Sequence, residues 1–200
     1  APVPGGAILV GRKGTIVEPV FFGKQGPEAG AEAIRRDGMF LLASITKPVT
    51  YLAGMMLVER GLLNLGDPVM RYLPDFAAHH KEETLVLHLF TQTSGLPDML
   101  PDNAELRRKH ASLDVFIKGA QDLVPLFPPG TDRKYQSMGT LCVAEIVQRI
   151  SGKSIYQFLM DDIFTPLGMK SSGRGSKGLD RKRLVRVQIP EYQECSDFGW

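Results

Sequence analysis

Cysteine is almost absent from this chain: Cys142 and Cys195 are the only two in 200 residues. Two thiols cannot build a disulfide framework, and they cannot supply a four-ligand zinc site on their own. There is a single tryptophan, and aromatics make up 8% of the residues. No apolar run approaches the roughly 18 residues that a membrane helix needs. Charge of one sign is also missing, with 24 Lys and Arg against 22 Asp and Glu. A net charge of +2 is too small to point to nucleic acid or an anionic membrane. What is present is apolar content of 43%, enough to build a core, so a disordered chain is excluded. The length suits one large domain or two small ones. No basic-then-apolar leader opens the chain. An exported location is the reading, with the cytoplasm as the alternative.

Patterning divides the chain. Ala7–Val10 and Thr15–Phe22 are β-rich runs around the polar turn Gly11-Arg12-Lys13-Gly14, and they read as a hairpin. Residues 23–38 are glycine-rich and charged, and read as a loop. From Ser44 onward the spacing turns helical. Val49, Leu52, Ala53, Met56 and Leu57 recur on one face and Gly61 supplies a stop. Asp67-Pro68 and Thr84 mark short helices, and Ser112 caps another with Val115, Phe116 and Ala120 inward. Residues 138–150 form the strongest later helix, ended by Gly152, and Ser154 caps the next. A two-stranded hairpin is marginal in water, so the sheet should be incomplete within these residues.

Two segments carry candidate chemistry. In Ser44-Ile45-Thr46-Lys47 the spacing of three places the serine hydroxyl and the lysine amine on one helix face. Serine is a weak nucleophile and needs a base. The apolar flank Met39–Ala43 suggests a lysine shielded from water. The alternative is a serine N-cap with a solvated lysine one turn on. In Tyr135-Gln136-Ser137 a tyrosine follows the break Pro128-Pro129-Gly130 and precedes a strong helix. A tyrosine can act as a phenolate-type base where cations lower its pKa. The alternative is an amphipathic side chain sealing the helix start.

The order of motifs along the chain is more specific than either segment. It runs Phe40–Thr50 around Ser44 and Lys47, Leu62–Val69, Tyr72-Leu73-Pro74, Leu89–Pro97, Pro129-Gly130, Tyr135-Gln136-Ser137, Ser151-Gly152-Lys153, and Ile163–Met169. This set resembles the serine β-lactamase-like superfamily: class C β-lactamases, D-Ala-D-Ala carboxypeptidases and β-lactamase-fold esterases. The resemblance implies an α+β fold, an antiparallel sheet flanked by helices with an inserted all-helical region. Residues 1–61 and 170–200 would form the α/β part, and residues 62–169 the helical region. Ser44 then matches the acylated nucleophile, with its backbone N–H as half of an oxyanion hole. Lys47 matches the activating lysine and Tyr135 the proton shuttle. No cofactor and no metal is implied. The expected partner is a small ester or amide. A further partner is the C-terminal part of the same domain, since the family's Lys/His-x-Gly strand is not found after Tyr135. Lys24-Gln25-Gly26 spells that motif out of order.

Two departures bear on substrate. Ser137 stands where the family often has asparagine, and a hydroxyl donates one hydrogen bond where an amide offers more. Met99 stands where β-lactam-hydrolysing relatives carry glutamine, and a thioether is a poor partner for an amide. Both are candidate substrate-binding residues, and both tilt the reading towards esterase or acyltransferase. Carboxypeptidase, β-lactamase and a non-catalytic penicillin- or acyl-peptide-binding module are the alternatives.

Weaker signals are read as structural. Gly173–Gly178 spells G-x-G-x-x-G without the flanking strand and helix of a dinucleotide site. The basic stretch Lys170–Arg186 reads as a solvated segment, with anion binding as the alternative. His79 and His80 point apart if the chain there is extended. His88 reads as a hydrogen-bonded core histidine, and Met55 and Met56 as packing. The abrupt end at Phe198-Gly199-Trp200 suggests that residues 1–200 are not a complete folding unit.

Overall fold

The structure, a computed structural model, describes residues 3–173 and 180–187. Arg174 and Lys177 of the basic stretch, most of the Gly173–Gly178 segment, Cys195 and the aromatic end lie outside the described residues. The chain divides into two compact units, Ala1–Ala43 with Lys170–Trp200, and Ser44–Met169.

The first unit is built of short strands. β1 (Gly5–Ile8) pairs antiparallel with β4 (Val20–Gly23), Gly5 opposite Gly23 and Ile8 opposite Val20. β2 (Gly11–Arg12) and β3 (Thr15–Ile16) continue the same hairpin to its turn. The alternating apolar residues that dictate these strands remain in solvent: Ile8, Leu9, Val10, Ile16, Val17 and Val20 are all exposed. β5 (Met39–Phe40) runs parallel to β6 (Leu184–Val185). That pairing joins residues far apart in sequence, so no local pattern announces it. Lys24-Gln25-Gly26 serves this unit: the buried Gln25 side chain donates to the Lys182 carbonyl at 3.0 Å. Of the basic stretch, Arg183 is held by Asp37 and Arg186 by Glu28.

The second unit is helical and holds the main core. α1 (Thr46–Glu59) follows a short 3₁₀ turn over Ala43–Ile45 and packs on α5 (Met138–Ser151). Contacts thus group α1 with the residues up to Met169, whereas the sequence division set it with the strands. The buried residues of α1 are Thr50, Ala53, Gly54 and Leu57, with Val49 and Met56 packed beside them, so four residues of the expected face lie in or against the core; Leu52 and Met55, also read as packing, are exposed. Small residues let the neighbouring helices close in. A Cβ on Gly54 would lie 2.6 Å from the Phe90 ring and 3.2 Å from Val143. α2 (Val86–Thr91) begins after Leu85 rather than at Thr84, and its Leu89 is fully buried. α3 (Asn103–Arg108) was not expected, because its residues are polar and carry no apolar period. α4 (Leu113–Gln121) buries Phe116, Ile117 and Ala120, while Val115 is exposed. Gly152 ends α5 in the left-handed conformation, and Ser154 caps α6 (Ile155–Phe158) through the Gln157 N–H. A π-helical turn, Leu159–Phe164, adds Leu159, Ile163 and Phe164 to the core. No helix among the described residues is long and apolar enough to cross a membrane.

Candidate active site

Ser44 and Lys47 share the N-terminal turn of the helical unit, as their spacing requires, and Lys47 Nζ donates to Ser44 Oγ at 3.1 Å. Tyr135 arrives from the segment just before α5. Its hydroxyl donates to Ser44 Oγ at 2.6 Å and accepts from Lys47 Nζ at 2.7 Å. Three side chains drawn from positions 44, 47 and 135 therefore close a hydrogen-bonded triangle. Lys47 Nζ also lies 4.6 Å from the centre of the Tyr135 ring. The Lys47 ammonium, first, and the Ser44 hydroxyl, second, hold the Tyr135 phenol below its ordinary pKa of 10.0, against a smaller opposing effect of burial. A cation beside a phenol stabilises the phenolate, which is the form able to take a proton.

The arrangement is open. Ser44 is exposed, Tyr135 is 47% exposed, and Leu41, Leu42 and Ile45 are all in solvent. Lys47 itself is half-buried. Ala43, immediately before Ser44, has φ +46°, an unusual conformation for a residue with a Cβ, and it marks the abrupt turn into the helix.

Support for Tyr135 comes from the segment after α2. Gln92 closes that helix at φ +61°, and its carbonyl accepts from the Lys134 N–H at 3.2 Å. The buried Ser94 hydroxyl donates to the Gln136 side-chain oxygen at 2.9 Å. Gly95 has φ +79°, and a Cβ there would sit 2.2 Å from the Phe127 carbonyl oxygen, so only glycine allows the two segments to touch. Tyr51 of α1 meets Thr140 of α5 at 2.8 Å, tying together the helices that bring serine and tyrosine to one place. The buried Ser94–Gln136 pair was not singled out from sequence. Its signal is that Ser94 lies within the Leu89–Pro97 motif and Gln136 within Tyr135-Gln136-Ser137.

Ser137, two residues after Tyr135, is engaged: its hydroxyl donates to Asp98 Oδ1 at 2.7 Å, and its N–H to the Asp98 carbonyl at 3.3 Å. Met99 is 53% exposed. Its sulfur accepts from Asn103 Nδ2 at 3.5 Å, and no described contact brings it to Ser44. His88 is a hydrogen-bonded histidine, its Nδ1 accepting from the Leu85 N–H at 3.1 Å, with burial pushing its pKa down. His79 and His80 are not extended, as both have φ near +60° (+62° and +61°), and His79 pairs with Asp122 at 3.1 Å. Among the described residues no group of three or more His, Cys, Asp or Glu could hold a metal ion.

This triangle sits in a fold with known relatives. The model of the family described as Beta-lactamase matches residues 2–192, and the chain belongs to that family. Esterase EstB of Burkholderia gladioli is 32% identical over 184 residues, which cover 84% of this chain and 46% of that protein. Penicillin-binding protein 4* of Bacillus subtilis is 29% identical over 157 residues, covering 76% of this chain and 34% of its own length. The octameric penicillin-binding protein homologue from Pyrococcus abyssi superposes with a TM-score of 0.78 at 26% identity, over 94% of this chain and 45% of that one. The fold is therefore of the β-lactamase/transpeptidase-like kind, as the motif order implied. The chain spans less than half the length of these relatives.

Proposed function

We propose that this protein is a serine hydrolase that forms an acyl-enzyme on Ser44, acting first as a carboxylesterase or acyltransferase. The observation that carries the reading is the Ser44–Lys47–Tyr135 triangle, with contacts of 2.6, 2.7 and 3.1 Å. Tyr135, its pKa lowered by Lys47, takes the Ser44 proton as a phenolate. Ser44 Oγ then bonds to the substrate carbonyl carbon. The tetrahedral species collapses, and the leaving oxygen departs with the proton from Tyr135. Water or another alcohol then gives its proton to Tyr135 and bonds to the acyl carbon; the second tetrahedral species collapses, Ser44 Oγ leaves with that proton from Tyr135, and the acid or new ester is released. The Ser44 N–H at the helix start is one donor for the developing oxyanion. The second donor and the remaining sheet strands belong, in this reading, to the rest of the domain.

Incubation of the full-length protein with a fluorophosphonate, followed by intact-mass and peptide mapping, should place one adduct on Ser44. Labelling that persists in Ser44→Ala would overturn the assignment. The penicillin-binding relatives support a second use of the same nucleophile, as a carboxypeptidase or β-lactamase. Ser137 and Met99 weigh against it, because neither has a free donor for a substrate amide carbonyl. The expected result is a higher kcat/KM on p-nitrophenyl butyrate than on nitrocefin.

A further inference from the structure

Ser137 starts α5 yet does not cap it: its side chain makes no hydrogen bond to the first-turn N–H groups. Its one hydroxyl proton goes instead to Asp98 Oδ1 at 2.7 Å. A hydroxyl has one proton and two lone pairs, and an ionised carboxylate only accepts. The pair therefore has no donor left, and both of its members offer acceptor sites. Asp98 Oδ2 has no partner among the described residues, and Asp98 forms no ion pair there. Both residues are half-buried, so the acceptor sites are neither sealed from solvent nor fully hydrated. Lys47 gives two of its three N–H donors to Ser44 and Tyr135, and no ion pair joins it to Asp98 among the described residues. The charge of Asp98 reaches Tyr135, where it opposes the lowering of the phenol's pKa.

We infer that Asp98, with Ser137, selects substrates that carry a hydrogen-bond donor with positive charge, an ammonium group foremost, close to the scissile carbonyl. This rests on the serine-hydrolase reading of Ser44 and deepens it. A substrate carbonyl or carboxylate placed against the Asp98–Ser137 pair is left unpaired or repelled, whereas an N–H there is satisfied. Asp98 is a specificity residue here; the bond-making steps remain with Ser44 and Tyr135.

The test uses full-length protein and two matched trios of small esters, ammonium-bearing, neutral and carboxylate-bearing. One trio carries the charge in the acyl chain and the other in the alcohol. In at least one trio the ammonium ester should exceed its neutral match in kcat/KM by about tenfold, the scale of a hydrogen bond to a charged group. The carboxylate ester should fall below the neutral one. In Asp98→Asn the ammonium-to-neutral ratio should drop towards one, and Asp98→Glu should restore part of it. Added salt should shrink the ratio in the unmodified protein, a reading that survives if Asp98→Asn fails to fold. Equal rates across both trios, with Ser44 still taking a fluorophosphonate, would overturn this inference alone. Absence of both the adduct and any hydrolysis would remove the hydrolase reading, and this one with it.

Discussion

The two compact units bury their apolar residues very differently. In Ser44–Met169 a single cluster runs from Ala53 to Phe164, and Val69, Leu73, Phe76, Val86, Leu89 and Ile146 are wholly removed from water. In the strand unit, Ile16 and Val17 are 66% and 59% exposed, with Ile8, Leu9, Val10 and Val20 alongside. Helices of the first kind bury one face against one another. A hairpin of two strands has no second layer of its own. All three members of the Ser44–Lys47–Tyr135 triangle stand on the better packed unit, so the groups proposed to react are held by the main core.

The contrast can be broken most strongly at the proposed nucleophile. Ser44→Ala should lower ester hydrolysis by roughly 10⁴-fold or more, while circular dichroism stays unchanged. Next in size, Phe76→Ala should destabilise the protein by about 3–5 kcal/mol, since the ring is fully buried; urea unfolding followed by tryptophan-independent circular dichroism reads it. Lys47→Ala should slow hydrolysis by about 10²–10³-fold and change its pH dependence. With Lys47 present, kcat/KM should rise with pH as Tyr135 loses its proton, with an apparent pKa below 10.0, because the ammonium favours the phenolate. Without Lys47 that rise should move to higher pH; an unmoved limb would mean that another group titrates. Ser94→Ala leaves the buried Gln136 oxygen without its donor and should cost about 1–3 kcal/mol, with a fall in kcat larger than any change in KM. Smallest of all, Val17→Thr in the exposed hairpin should shift stability by no more than about 0.5 kcal/mol. A loss of several kcal/mol in the full-length protein would show that the rest of the domain covers this strand.

Much of this was legible in one dimension. The hairpin follows from β-rich runs around Gly11–Gly14, and α5 from its apolar period and the Gly152 stop. α1 and most of its face follow from the same spacing, with Ala53 and Leu57 in the core and Val49 and Met56 against it. Leu52 alone departs from that face and is exposed, while Gly54, which carries no apolar side chain, meets Phe90 and Val143. Hydropathy alone does not register that small residues mark the closest helix contact. α3 was missed because its six residues, Asn103–Arg108, carry no apolar repeat.

Local spacing by itself determined that Ser44 and Lys47 would meet, since residues three apart on a helical turn must be neighbours. The order of motifs determined the family and singled out Tyr135. Tertiary structure decided the rest. It decided that Tyr135 sits 2.6 Å from Ser44, through the packing of α1 on α5 and the support of the Gln92–Asp98 segment. It also decided that Ser137 spends its proton on Asp98. Nothing in the sequence says which of many carboxylates a hydroxyl will face, because hydrogen bonds between distant residues depend on where packing leaves the two atoms.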